Sequence, residues 1–319
     1  MDQVKYAALS DEVKAKLLSE DSAMIKSGGL ATSEYFRTEI RENAIRRRIT
    51  PPTPVGKEDW GDAEDTDFPI IYVEIAPRSC GAVMVPFETG PTGEVIHGKK
   101  ARIEFNRVMT KKYSIEKIRL ETYKMPILDI FYDLMLKDIM DVEDRVTMNT
   151  DKKICGTINT VRPDMGMCRY VECGPLSRNS LVHLRKGMCY SPGNLIPTKY
   201  LMNNITYCDF GILDRDQVGG DLAQDMLIDG VTLTKVSGID TIVTIKRDLV
   251  PENEVFIYTD PKFYGGFYTY KDVSMVTEEK DDIWLTFFAH EIIGASVINA
   301  AGVLRASMTG TAHDWITGE

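Results

Sequence analysis

Residues 126–154, "PILDIFYDLMLKDIMDVEDRVTMNTDKKI", constrain this chain more than any other stretch. Phe131, Met135, Ile139, Val142 and Val146 recur at spacings of four, four, three and four, the period of one helix face. Pro126 suits a first helical turn. Asp129 and Asp133 lie early and Lys152 and Lys153 late, so the charges complement the helix dipole at both ends. The pattern predicts about seven turns, roughly 40 Å at 1.5 Å per residue. A helix of that length can serve as the spine of a domain.

Strands surround it. From residue 68 the runs "FPIIYVEIA", "GAVMVPFE" and "KKARIEFNRV" are β-branched and aromatic. The last two flank "TGPTGEVIHG", residues 89–98, a hairpin tip too polar to bury itself. A long two-stranded ribbon is marginal alone. "KKYSIEKIRLETY" continues in alternation until Leu120 shifts the pattern. Residues 155–261 mix helix and strand. "SRNSLVHLRKGMC" is a helix with Ser177 as its cap, and "NLIPTKYLMNN" is a buried strand after a proline. "DRDQVGGDLAQDML" is a short helix interrupted by glycines. "VTLTKV", "TIVTIKR" and "EVFIYTD" are strands, and Gly265-Gly266 marks a turn. The closing "DIWLTFFAHEIIGASVINAAGVLRASM" reads as consecutive strands with Gly294 and Asn299 near turns. Both of its faces are apolar, so it is buried on both sides. The tail, 309–319, reads as loose.

The first 67 residues differ. Ser10 caps a helix that ends at Gly28-Gly29. A second starts near Ser33, carries a narrow stripe of Phe36, Ile40 and Ala44, and closes on Arg46, Arg47 and Arg48. That basic triplet reads as a helix end exposed to water. "TPPTPVGKEDWGDAEDTD" then runs extended and acidic. Neither helix is apolar enough for a domain core. The segment reads as an arm of two weak helices on a tether, separable from a folded body and stabilised against something else.

No local chemistry stands out. The chain has 319 residues, 43% of them hydrophobic, and a formal net charge of -10. That size allows one large domain or two modest ones. That charge disfavours wrapping DNA by counterion release and binding an anionic membrane surface. No stretch is long and apolar enough for a membrane span or a signal-peptide core. The six cysteines form no paired CxxC, which argues against zinc and for reduced thiols. There is no GxxxxGK[ST], no GxSxG and no HExxH. "AHEIIG" brings His290 beside Glu291, but the second histidine is missing and the segment reads as strand. Asp214, Asp216 and Asp221 lack the glycine and final glutamate of a calcium loop. No catalytic, cofactor-binding or metal-ligating residue is assigned.

The order of elements is distinctive: arm, long hairpin, long helix, α/β middle, closing strands. It resembles the major capsid proteins of tailed bacteriophages, with the Hong Kong 97-type fold. The stretches that carry the resemblance are "PILDIFYDLMLKDIMDVEDRV", "LIPTKYLMNNITYCDF", "TIKRDLVPENEVFIYTDPKFYGGFY" and "FFAHEIIGASVINAAGVLRASM". The resemblance implies an α+β fold: an N-terminal arm (1–67), an extended β-hairpin loop (68–108), a peripheral domain on the spine helix (109–154 and 266–319), and an axial α/β domain (155–265). It implies a shell protein without catalysis or cofactor, assembling with itself into the hexamers and pentamers of an icosahedral virion in the host cytoplasm. Its further partners would be a portal, a separate scaffolding protein, decoration proteins, and packaged double-stranded DNA bound without sequence specificity. Intersubunit contacts would come from Thr89, Gly90, Pro91, Thr92, Gly93, Glu94, His97, Lys99 and Lys100 on the hairpin. Phe36, Ile40, Arg46, Arg47 and Arg48 on the arm would add to them, with contact to packaged nucleic acid a second role for the arginines. Some relatives crosslink neighbours, which makes Lys99 or Lys100 with Asn299 a candidate pair. Ionic pairing of those lysines with a neighbour's carboxylates is the simpler alternative. An encapsulin-like nanocompartment shell stays open within the same fold. An enzyme with a scattered metal-dependent or hydrolytic site stays open outside it.

Overall fold

The structure, a computed structural model, describes residues 44–62, 65–66, 68–75, 98–122, 127–156, 169–191, 194–212, 235–236, 238–280 and 283–308. Phe36, Ile40, the hairpin tip from Thr89 to His97, the segment "DRDQVGGDLAQDML" and the tail 309–319 lie outside the described residues.

Two sheets and a ribbon carry the mixed α/β fold. The first sheet runs β1 (Thr53–Pro54), β11 (Gly265–Lys280), β12 (Trp284–Val297), β4 (Asn106–Met109), with β5 (Tyr113–Glu116) also paired to β12. β11 and β12 are antiparallel from Gly265↔Val297 to Lys280↔Trp284, with register shifts between Thr269 and Ser274. β12 passes straight through Gly294, where a turn was expected. A Cβ there would lie 3.1 Å from Ile103 Cγ2 and 3.3 Å from the Glu104 carbonyl oxygen. Gly294 thus permits a close backbone approach and does not end the strand. After β5, "KIRLET" turns helical as α2 (Lys117–Thr122), which is where the alternation failed.

The spine, α3 (Ile127–Cys155), is present at the expected length. Its buried face is not the expected stripe. Met135 and Ile139 are buried, together with Tyr132, Leu136 and Met140, against Ile115, Val273, Met275, Leu285, Phe287 and Ala289 of the first sheet. Phe131 is only partly buried and stacks on Tyr113 at 5.5 Å. Val142 and Val146 are 43% and 59% exposed. Beyond Met140 the inward positions are Glu143, Asp144, Thr147, Met148, Asp151 and Cys155. At 3.6 residues per turn these continue the face begun by Tyr132 and Leu136, whereas the two valines are rotated off it.

The second sheet runs β6 (Tyr170–Cys173), β13 (Val303–Met308), β10 (Glu254–Thr259), β7 (Pro197–Asn203), β9 (Ile239–Thr244), β8 (Lys235–Val236). All six residues of β10 are buried, and its period of two divides them between two cores. Val255 and Ile257 face Leu181, Leu184 and Met188 of α4 (Arg178–Cys189). Phe256 and Tyr258 face Met148 and Cys155 of α3. The expected cap of α4 is in place: Ser177 Oγ accepts from the Ser180 N–H at 3.2 Å.

β13 leaves the sheet that packs on the spine. β13 lies inside the second sheet, antiparallel to β10 and parallel to β6. The reversal occurs at the 3-10 turn Ala300–Gly302, where Asn299 Oδ1 accepts from the Ala301 N–H at 3.0 Å. A Cβ on Gly302 would sit 2.9 Å from Tyr264 Cα, so the chain can turn this closely only with glycine.

The ribbon pairs β2 (Ile70–Ile75) with β3 (Lys99–Glu104) antiparallel, Ile75 opposite Lys99. Ile71, Ile103 and Phe105 anchor its base on Val55, Tyr268, Tyr270 and Ile292. The expected single strand "KKARIEFNRV" divides at Phe105: β3 belongs to the ribbon and β4 joins β12.

The rotated stripe gives a direct test. Met135→Ala should cost about 2–5 kcal/mol through cavity formation, while Val146→Ala should stay within about 0.5 kcal/mol. Urea unfolding of both variants measures this, and equal losses would restore the valine stripe.

Candidate functional site

The arm does not end where the folded body begins. Its last helical turn, α1 (Ile45–Ile49), packs directly on α3 and the second sheet. Ala44 joins the core between α3 and the first sheet. Ile45 and Ile49 join the core of Met148, Leu201, Ile242, Phe256 and Tyr258. Apolar residues on both sides of the basic triplet therefore pull it inward. Arg46 and Arg47 are 2% and 3% exposed, and only Arg48 faces water. This overturns the expectation of an exposed basic helix end, and with it that of a thin arm separable from the body at residue 67.

The acids on the inward face of α3 answer these arginines. Arg47 donates to both Glu143 oxygens, at 3.2 and 2.8 Å, to Glu291 Oε2 of β12 at 2.8 Å, and to Asp272 Oδ1 of β11 at 3.1 Å. The side chains of Arg47, Glu143 and Glu291 are at most 1% exposed. Asp144 accepts from the Arg46 backbone N–H at 2.9 Å and pairs with Lys246 at 2.7 Å. The Arg46 guanidinium donates to the Gly266 carbonyl at 3.2 Å and lies over the rings of Tyr264 and Phe267, 5.8 and 5.5 Å from their centroids. Deeper along α3, Asp151 accepts from Tyr258 at 2.8 Å and from Tyr264. Lys199 of β7 donates to the Ile49 carbonyl at 2.9 Å and to that of Arg48, closing the far side of α1.

The protonation states follow from the environment. Burial works against the charge on Arg47, and Glu143, Glu291 and Asp272 more than offset it, so its pKa is raised and it stays charged. Burial first, then the neighbouring Glu143, pushes Glu291 up to about 10. Glu291 therefore holds a proton at neutral pH. That proton lets Glu291 share a hydrogen bond with Glu143. Burial also raises Asp151, against the hydrogen bonds from Tyr264 and Tyr258. One guanidinium facing three carboxylates is thus less unbalanced than a formal count suggests.

Other expected residues lie elsewhere. Lys99 and Lys100 are exposed on the ribbon, where Lys100 lies 3.4 Å from Glu74 across the pair, a contact in water that contributes little. Asn299 is engaged at its own turn. His290 is a half-buried sheet residue whose Nε2 lies 3.1 Å from Lys271 Nζ, and burial lowers its pKa. The sequence reading missed Glu143, Asp144, Asp272 and Glu291. One signal was available: "FFAHEIIG" sets a carboxylate in an otherwise apolar strand, which requires a buried partner.

Arg47→Ala should destabilise the chain by about 3–5 kcal/mol, because it strands buried carboxylates. Removing residues 1–50 should destabilise it at least as much, and removing 1–43 should not. Chemical unfolding of the three variants decides, and a stable 1–50 deletion would refute the anchor. Glu291 also sets a pH dependence. Its ordinary value is 4.5 and the folded value is higher, so in between the folded state holds a proton that the unfolded chain has released. Stability then falls as pH rises from about 4.5 toward 10. Glu291→Gln should flatten that descent, and unfolding curves that descend in parallel would rule it out.

No protein-family model matches the chain, and no curated relative does. Solved structures match over most of the chain. The capsid of a native GTA particle superposes with a TM-score of 0.59 at 11% identity, over 83% of this chain and 90% of that one. The mature capsid of bacteriophage PhiM1 gives 0.55 at 9%, over 84% and 88%. The capsid of cyanophage P-SCSP1u gives 0.54 at 11%, over 75% and 83%. With its long helix against one sheet, its ribbon and its second mixed sheet, this chain has the fold of phage capsid proteins.

Proposed function

We propose that the chain is a major capsid protein that self-assembles into an icosahedral shell of hexamers and pentamers around a double-stranded DNA phage genome. One observation supports this reading: 84% of the chain superposes on the capsid protein of a bacteriophage, over 88% of that protein's length. In the Hong Kong 97-type scheme, 68–105 is the extended loop and 106–154 with 266–302 the peripheral domain. Residues 155–265 with 303–308 form the axial domain. The product is a virion assembled in host cytoplasm, with a portal, separate scaffolding and decoration proteins as further partners.

The chemistry agrees. Among the described residues the ribbon's apolar anchor lies at its base, at Ile71, Ile103 and Phe105, and a two-stranded ribbon gains stability only from further packing. A neighbouring copy supplies that packing, against Thr89, Gly90, Pro91, Thr92, Gly93, Glu94 and His97 at the tip and Lys99 and Lys100 beside it. Phe36, Ile40 and the exposed Arg48 complete the proposed contact set. Arg46 and Arg47 are spent within their own chain and drop out of it. At roughly 25 cal/mol per Å² of apolar surface, each modest contact adds a few kcal/mol, so many weak contacts hold a shell while errors stay correctable.

Electron microscopy of the expressed chain, alone and with its neighbouring gene products, should show icosahedral particles, tubes or capsomer rings. Replacing residues 89–98 by a short turn should leave the melting temperature nearly unchanged and abolish particles. A chain that stays monomeric under every condition would end the shell reading. Particles filled with cargo enzyme and no genome would move it to the nanocompartment alternative.

A further inference from the structure

The first sheet has a second polar cluster, on the face turned away from α3. Glu291 points inward to Arg47, so His290 and Ile292 on either side of it point outward. The register shifts of β11 fall on both sides of Lys271. Tyr270 packs on the ribbon base, while Asp272 reaches Arg47 and Val273 joins the core against α3. Such bulges re-aim side chains, and here they leave Lys271 and Ser274 on the outer side. Lys271 Nζ lies 3.1 Å and Ser274 Oγ 3.4 Å from one atom, His290 Nε2. On the other flank, β4 sets Arg107 opposite Ile292, the residue that Lys271 also faces. With strands about 4.8 Å apart, the two cationic side chains rise roughly 10 Å from each other, and both are exposed.

Donors exceed acceptors at this spot. A neutral imidazole has one accepting nitrogen, so Nε2 can accept from Lys271 or from Ser274 but not from both. When it does, the ring proton lies on Nδ1, which is buried and has no hydrogen-bond partner. Among the described residues neither Arg107 nor Lys271 has an ion-pair partner. Burial first, then the charges of Lys271 and Arg107, lowers the His290 pKa, and no carboxylate counters them there. In a chain with a formal charge of -10, two cations converge on a neutral imidazole without an anion.

We propose that Arg107, Lys271, His290 and Ser274 form a binding site for a phosphate group. Phosphate supplies the acceptor oxygens that the cluster lacks. A guanidinium grips it through paired N–H donors and an ammonium holds it as a point charge. A phosphate dianion balances both cations, which a single side-chain carboxylate cannot do. Its charge would also draw the imidazole proton to Nε2, or add a second proton there, and Ser274 would turn its hydroxyl to a remaining oxygen. The cluster has room for one such group, taken either from free phosphate or from a nucleic-acid backbone. The site does not depend on the shell reading.

The test adds inorganic phosphate to the full chain at constant ionic strength, with chloride as the control. R107Q/K271Q removes both charges at exposed positions and should melt with the wild type in chloride. Phosphate stabilises proteins generally by exclusion from their surface, so the difference between the two chains is what counts. The wild type should gain more in melting temperature than the variant, and calorimetry should show the variant binding phosphate at least about tenfold more weakly. In a histidine-labelled wild type, the His290 pKa should rise with phosphate, because a bound anion favours the imidazolium. A purely structural role for these side chains would not move it. A mixed-sequence DNA duplex that displaces phosphate would assign the site to a nucleic-acid backbone, and one that does not would assign it to the free anion. Equal responses of wild type and variant to phosphate, or a His290 pKa that stays put, would overturn the site.

Discussion

The Arg47 guanidinium, buried among Glu143, Glu291 and Asp272, is the interaction on which the rest of the architecture depends. It joins three stretches that the chain visits far apart: α1, α3 and the β11–β12 pair. None of its buried charges could remain there alone, because a buried ion without partners costs several kcal/mol or more. The cluster is therefore conditional. With α1 in place, the acidic face of α3 can turn inward. Without it, Glu143 and Glu291 would face each other across an unfilled gap. Replacing such a cluster by apolar residues can be neutral or even stabilising, so what it contributes is register: it fixes which turn of α3 meets which residue of β12.

This also explains why α3 serves two cores. Its first half is an ordinary apolar face, with Met135 and Ile139 against Phe287 and Leu285. Its second half runs on to the second sheet, where Met148 and Cys155 pack near Tyr258 and Val303. Between them lies the ionic step of Glu143 and Asp144. A helix apolar from end to end could slide along two sheets by a turn at small cost. The charged step removes that freedom, since a shift of α3 by one turn would take Glu143 from Arg47 and Asp144 from Lys246.

Much of the fold was legible in the sequence, and the failures share a cause. The extent of α3, the cap at Ser177, the buried β10 and the antiparallel ribbon each follow from local periodicity or capping chemistry, which needs no knowledge of the partner. The stripe through Val142 and Val146, the separable arm and the exposed arginines all failed at one place. A pattern search counts Glu143, Asp144 and Asp151 as outward because they are acidic, and Arg46 and Arg47 likewise because they are basic. Each judgement is sound for one segment alone and wrong for the pair, because burial of opposite charges is decided jointly by residues about a hundred positions apart. β13 escaped for a related reason: nothing local in "VLRASM" says which of two sheets it joins.

Anchoring α1 inside the body changes what the arm can do. A tether joined at residue 67 would leave whatever the first residues grip connected to the body by a loose acidic strand. With Ala44 in one core and Ile45 and Ile49 in the other, any force on residues 1–43 arrives at α3 and both sheets at once. The tether from Thr53 onward is likewise tied down, since β1 pairs with β11 and Arg102 of the ribbon reaches back to Asp65 at 2.6 Å. Arm, ribbon and spine are thus joined through short, specific contacts. In the proposed shell, such coupling would let a strain at one intersubunit contact be felt at the others. A freely hinged arm could not transmit it.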